Sequence, residues 1–260
     1  MFCLKLKIDA FANYQFIQKN FTTIERLFTI EFNRDWNLTT FSGNQSYLIS
    51  GLNIELPEKL KATYQREKLD FSDSFSGNRH IVNAQLNAKN VLVQTKSSYL
   101  TSNGNFSDTR FVRNQSQAKY HFKKNWIGAS FRLEDNKEQL KSNNLLSNLS
   151  QRFAEYGTFI GRGDSTKVYV ELGYLNRKND SLQNNFVKRI NSSKSYYLKS
   201  KLIKTEKSDL SLFINYRSLK FENPLTKNQN SLNSRVTYND RFFKDFVRSE
   251  EHTSELQSRP

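Results

Sequence analysis

Over most of this chain apolar and polar residues alternate one for one, in runs of about nine to eleven residues broken by turn-forming clusters. The clearest pair of runs flanks Lys123-Lys124-Asn125. Ala118, Tyr120, Phe122, Ile127, Ala129, Phe131 and Leu133 share one parity, while Lys119, His121, Lys123, Gly128, Ser130, Arg132 and Glu134 share the other. Successive strand side chains point to opposite sheet faces, so the pattern predicts an antiparallel hairpin with one apolar and one wet surface.

The same unit recurs. Leu52, Ile54 and Leu56 lead into Pro57-Glu58-Lys59, and Leu60, Ala62 and Tyr64 lead away. Val82, Ala84, Leu86 and Ala88 approach Lys89-Asn90, and Val91, Val93, Thr95 and Tyr99 follow it. Phe153 to Ile160 and Val168 to Tyr174 flank Gly161-Arg162-Gly163-Asp164-Ser165. Tyr196, Leu198 and Leu202 face Leu210, Leu212, Ile214 and Tyr216 across Glu206-Lys207-Ser208, and a sixth unit begins with Leu232, Val236 and Tyr238. Short turns therefore fall near positions 58, 89, 124, 163, 207 and 240. Between the units, Glu67 to Arg79, Thr101 to Gln115, Asp135 to Ser150, Arg177 to Ser193 and Glu222 to Asn230 are rich in Asn, Ser, Lys and Asp, and are expected as long loops. Upstream, Phe28, Ile30 and Phe32 predict a strand within Arg26 to Trp36, whereas Leu4 to Glu25 carries a mixed pattern.

These elements predict an all-β protein: an antiparallel up-and-down meander of about twelve strands, forming all or part of a transmembrane β-barrel. Strand length separates this from a soluble sandwich. Sandwich strands run about five or six residues, whereas a tilted strand needs about nine to eleven to cross a bilayer. Tyr64, Tyr99, Tyr174, Tyr216 and Phe221 gather near the long-loop ends, where interfacial girdles sit. Tyr120, Phe122, Ile127, Phe131, Leu133, Leu210, Leu212 and Ile214 are then expected to face lipid, and Lys119, His121, Arg132, Glu134, Lys199 and Arg217 to face a lumen.

Composition agrees with that expectation. Mean hydropathy is −0.74, and no run approaches the roughly eighteen apolar residues of a spanning helix. With 21 Phe and 12 Tyr against 3 Pro and 9 Gly, the chain is too aromatic for a disordered segment. A net charge of +15 favours anionic partners: lipopolysaccharide beside membrane lipid, and anionic solutes inside a cationic lumen. The cations are spread out, without the compact basic patch and stacking platform that nucleic-acid binding uses.

Recognisable catalytic chemistry is missing from the sequence. Cys3 is the single cysteine, which rules out an intramolecular disulfide and a cysteine-based zinc site. His80 and His121 lack metal-ligand spacing, and no phosphate loop, nucleophile elbow or triad can be assembled. Neither a cofactor nor enzymatic activity is expected. Arg162-Gly163-Asp164 matches an adhesion tripeptide, but Gly and Asp are also what a tight turn uses.

The last residues, 248–260, match a translated sequencing adapter and are set apart as a non-native tail; the first, 1–24, lack the order of a signal peptide and are expected to follow a truncated start. Residues 25–247 make one architecture. Glu31-Phe32-Asn33-Arg34-Asp35-Trp36-Asn37 ahead of a series of long hairpins resembles large, mostly uncharacterised outer-membrane β-barrel proteins of Bacteroidota-type bacteria. That resemblance implies an outer-membrane location and carries over no catalytic residues. The expected function is a passive or gated conduit, or a scaffold for surface loops. A soluble periplasmic or surface β-sheet module for binding or adhesion is the alternative, and an outer-membrane lipase or protease barrel is the enzymatic one.

Overall fold

The computed structural model describes residues 5–18, 36, 43–72, 74–142, 145–164, 167–183, 186–204, 208–243 and 246–258. Thirteen strands follow one another: β1 Lys7–Ile17, β2 Gln45–Leu56, β3 Leu60–Phe71, β4 Phe75–Ala88, β5 Val91–Gly104, β6 Ser107–Phe122, β7 Asn125–Ser142, β8 Leu145–Gly163, β9 Tyr169–Gln183, β10 Phe186–Lys204, β11 Ser208–Phe221, β12 Gln229–Phe243 and β13 Phe246–Ser258. Each pairs antiparallel with its neighbour in sequence, giving a single sheet in the order β1 to β13. The all-β up-and-down meander is therefore what forms. Among the described residues no ladder joins β1 to β13, so the sheet has two edges.

Five of the six expected turn regions, near 58, 89, 124, 163 and 207, separate consecutive strands, whereas Asp240 lies within β12, which runs on to Phe243. Two of them are two-residue connections, Lys89-Asn90 between Ala88↔Val91 and Lys123-Lys124 between Phe122↔Asn125. Glu58, Lys89 and Lys123 each take a positive φ, of 63°, 48° and 56°, a region that costs a side-chain-bearing residue energy but matches the right-handed twist of the flanking strands.

The polar segments between hairpins differ from expectation. Four of the five expected long loops are strand: the ladders run on to Phe71↔Phe75, Asn103↔Asp108, Ser142↔Leu145 and Gln183↔Phe186. In the fifth, 222–228 stays outside a strand. Strands consequently reach 11 to 19 residues instead of about nine to eleven. Alternation disappears there because both faces are polar, yet backbone pairing needs no apolar face and cross-strand polar pairs support it. Asp70–Ser76 and Asn179–Asn191 are such pairs, each with a hydrogen bond of 2.6 Å.

Two further differences concern the ends. The mixed N-terminal pattern, open to a strand pair or the tail of another domain, holds the strand β1, whereas the strand expected over Arg26 to Trp36 lies outside the described residues apart from Trp36. The backbone of 248–258, set apart as tail, pairs with β12 from Asp240↔Arg248 to Asn230↔Ser258. An open edge strand offers a row of unpaired N–H and C=O groups to any extended segment, whatever its side chains.

Burial is inverted relative to a water-soluble sheet. The apolar parity is the open surface: Ile127, Ile160, Leu172 and Tyr196 are 52–55% exposed, and among the described residues no second layer packs on them. Fully buried side chains lie on the polar parity instead. Trp36, Leu69, Phe71 and Leu100 form one cluster there, with Tyr47, Phe75 and Phe111 against it, and Trp126 and Phe159 are buried nearer the short turns.

Candidate functional site

Register decides which side chains share a face, since directly paired residues point the same way. Lys119↔Gly128, His121↔Trp126, Gln115↔Arg132, Arg113↔Glu134, Lys199↔Glu171 and Ser195↔Arg217 connect all six expected lumen residues on one face. Tyr120↔Ile127, Ile127↔Ile160, Ile160↔Leu172, Leu172↔Leu198 and Leu198↔Ile214 run through the opposite face, which carries all eight expected lipid-facing residues. Of the expected girdle, Tyr64, Tyr99, Tyr174 and Tyr216 lie on the apolar face, whereas Phe221, paired with Asn191, belongs to the other.

The polar face has three distinct regions. Near the short turns, Trp126 Nε1–H donates to Glu171 Oε2 at 2.9 Å and the Tyr197 hydroxyl donates to Glu171 Oε1 at 3.4 Å. Lys119 Nζ stands 4.0 Å from the same carboxylate, 5.1 Å from the Trp126 ring and 5.6 Å from the Phe159 ring. Glycines make room for these rings: Trp126 lies over Gly161, Phe159 over Gly128 and Tyr197 over Gly173, each its direct cross-strand partner, where a Cβ would collide with the ring. His121 tilts against Trp126 with ring centroids 6.0 Å apart.

Farther along the strands lies a charged belt. Glu134 Oε1 accepts from Arg132 at 2.7 and 3.2 Å and stands 3.6 Å from Arg113, and Glu155 Oε2 accepts from Arg177 at 2.9 and 2.7 Å. Arg132 and Arg177 also stack on Phe153, at 5.3 and 4.7 Å, so both guanidinium groups are held in place. Lys96, Gln115, Arg132, Glu155 and Arg177 form a continuous rung from β5 to β9. At the distal end the Trp36 cluster sits beside Glu67, which accepts from Gln65 at 2.6 Å and stands 3.7 Å from Arg79.

Of the expected lumen residues, Lys119 and His121 meet in the first region and Arg132 and Glu134 in the second; Lys199 lies on the rung of Glu171, and Arg217 lies one rung from Arg177. Glu171, Trp126, Tyr197, Lys96, Arg113, Glu155 and Arg177 join these groups without having been expected from the sequence. Their parity was available, but Glu171 is 45 residues from Trp126 and only the register joins them.

Beyond the apolar band, Arg189 pairs with Asp180 at 2.7 Å; the hydrogen bond from this guanidinium raises its pKa above the ordinary value, burial works against that, and the charges of Asp180 and Glu222 add to it. The Arg-Gly-Asp tripeptide is not displayed as a free loop. Arg162 is held in the ladder between Asn125 and Val170, and the Asp164 backbone closes the turn with bonds to Val168 and from Lys167. Among the described residues no three His, Cys, Asp or Glu side chains cluster as a metal site would require, and no helix is long and apolar enough to cross a membrane, which says nothing of strands. No family model matches this sequence, and no curated protein does.

Proposed function

We infer that this chain is part of an outer-membrane β-barrel whose strands carry apolar side chains to lipid and charged side chains to a water-filled interior, acting as a passive or gated conduit or as a scaffold for projecting hairpins. The observation that carries this is the inverted burial: the apolar rows stand open while Trp126, at 1% exposure, Leu69, Leu100 and Phe159 are buried on the other side. Contiguous exposed apolar rows mark a membrane or interaction surface, since water-soluble monomers keep such patches small.

The tyrosines give the apolar band a boundary. Following paired residues from Tyr99 through Val112, Asp135 and Arg152 leads to Asp180, six positions beyond Tyr174, and Tyr174, Tyr196 and Tyr216 are level. Past this line the apolar-face parity turns basic. Arg66, Arg110, Lys137, Lys178, Lys194 and Lys220 have no carboxylate partner among the described residues, and Arg110 lies over the Tyr99 ring at 5.4 Å. Cations directly above a tyrosine row suit the phosphates of lipopolysaccharide. The 18- and 19-residue strands β7 and β8 then project well beyond the band, which supports the scaffold role.

Single-cysteine variants on a Cys3→Ser background test the assignment by spin labelling in vesicles. Labels at Ile127, Phe131, Leu172 and Ile214 are expected to be accessible to oxygen and shielded from a water-soluble nickel reagent, and labels at Ser130 and Asn215 the reverse. Equal nickel access at both parities, with the protein released by carbonate, would assign the chain to the soluble binding-module class.

A further inference from the structure

The polar face holds a hollow of about 340 Å³ at the charged belt, lined by Gln94, Lys96, Gln115, Gln117, Arg132 and Glu155. Charge in and around it is unbalanced. Lys96, Arg113, Arg132, Arg177 and Arg217 are five cations against the two carboxylates Glu134 and Glu155, and those carboxylates are already engaged by Arg132, Arg113 and Arg177. Lys96 has no ion pair and no hydrogen bond among the described residues, and neither do the side chains of Gln115 and Gln117. Lys96, Gln115 and Arg132 are exposed on this face while Gln117 and Glu155 are half-buried at its floor, so unpaired donors stand open to a solute beside guanidinium groups that Phe153 holds in place.

We propose that this hollow binds a small anionic solute bearing hydroxyl groups, of the size and chemistry of a sugar acid. Its carboxylate lies between Lys96 and Arg132, on the rung where they flank Gln115. The glutamine amides, each both donor and acceptor, take the hydroxyls, which donate and accept in turn. Arg132 keeps its bond to Glu134 and presents its remaining N–H groups, since a guanidinium carries five donors in a fixed plane. Glu155 Oε1, left free while Oε2 binds Arg177, accepts a further hydroxyl and disfavours a second negative charge nearby. A volume of this size lies at the lower end for small-molecule sites. The site rests on the proposed function in one respect, that the polar face borders water.

Calorimetric titration of the full chain, folded in detergent micelles and showing strand circular dichroism, tests the site with glucuronate, glucose and inorganic phosphate. Glucuronate is expected to bind at least tenfold more tightly than either of the others, because glucose lacks the charge and phosphate lacks the hydroxyl array. Lys96→Gln removes a charge that no other residue uses, and is expected to weaken glucuronate about tenfold. Gln117→Ala is expected to weaken glucuronate by a smaller factor and leave phosphate unchanged. No saturable glucuronate binding, an unchanged affinity in Lys96→Gln, or phosphate binding as tightly as glucuronate would each overturn the proposal. Micelle titration and vesicle spin labelling fail separately, so loss of this site leaves the membrane assignment standing and the reverse holds too.

Discussion

Two tryptophans, the only two in the chain, are each 1% exposed on the same face, yet they are buried by different means. Trp126 is locked by its own ladder. Its ring covers Gly161 on the next strand, its N–H binds Glu171 one strand farther, and Lys119 stands over it from the strand before. Trp36 belongs to no strand; it arrives from the connection between β1 and β2 and seats between Tyr47 and Phe75, edge-on to both at 6.1 and 6.5 Å. One burial is a consequence of register, and the other of a residue outside the strands seated on a prepared floor, including Gly77 beneath the ring. Local ladder geometry thus stiffens the short-turn end, while the distal end depends on a contact that the sheet alone does not supply.

The contrast predicts a graded set of responses to substitution. Trp126→Ala is expected to cost about 4–5 kcal/mol, because a large ring is lost and Glu171 keeps its charge with a donor removed. Urea unfolding in micelles reads this, with Trp36 as the sole emitter; a cost near 1 kcal/mol would mean the ring is not a structural lock. Trp36→Ala is expected to cost about 3 kcal/mol, with faster amide exchange confined to the neighbourhood of Leu69 and Leu100. Exchange that accelerates equally around Gly161 would show the two ends to be one cooperative unit. The two tryptophans share no partner in the contacts given above, so their costs should add within about 0.5 kcal/mol, and a larger coupling would undo the separation drawn between the ends.

Smaller effects sharpen the comparison. Gly161→Ala places a methyl under the Trp126 ring and is expected to cost about 1–3 kcal/mol by overpacking, with a red shift in Trp126 emission measured on a Trp36→Phe background. At the turn itself, Lys123→Gly is expected to stabilise by about 0.5 kcal/mol, since glycine accepts the positive φ and part of that gain is offset by its extra unfolded-state entropy. A destabilisation there would mean the Lys123 side chain has a role that its backbone conformation does not reveal.

How much of this was legible from residues alone depends on what each feature needs. The short turns at 58, 89 and 124 and the parity of Tyr120, Ile127 and Leu212 are local properties, written in the alternation itself. Asp135 to Ser150 was expected as loop because polar residues on both faces erase the period-two signal, although the ladder continues through it. The same limit hid the proposed solute site: Lys96 and Arg132 are unremarkable in sequence, and only three adjacent strands in one register put them on a shared rung.

Alternation, turn chemistry and charge balance by themselves determined an antiparallel meander with one apolar and one cationic face, because side-chain direction in a strand follows from parity alone. Tertiary structure decided the rest. Which face is enclosed, which carboxylate meets which arginine, and where Trp36 comes to rest depend on strand register and sheet curvature, and these are set jointly by pairings that no single segment encodes.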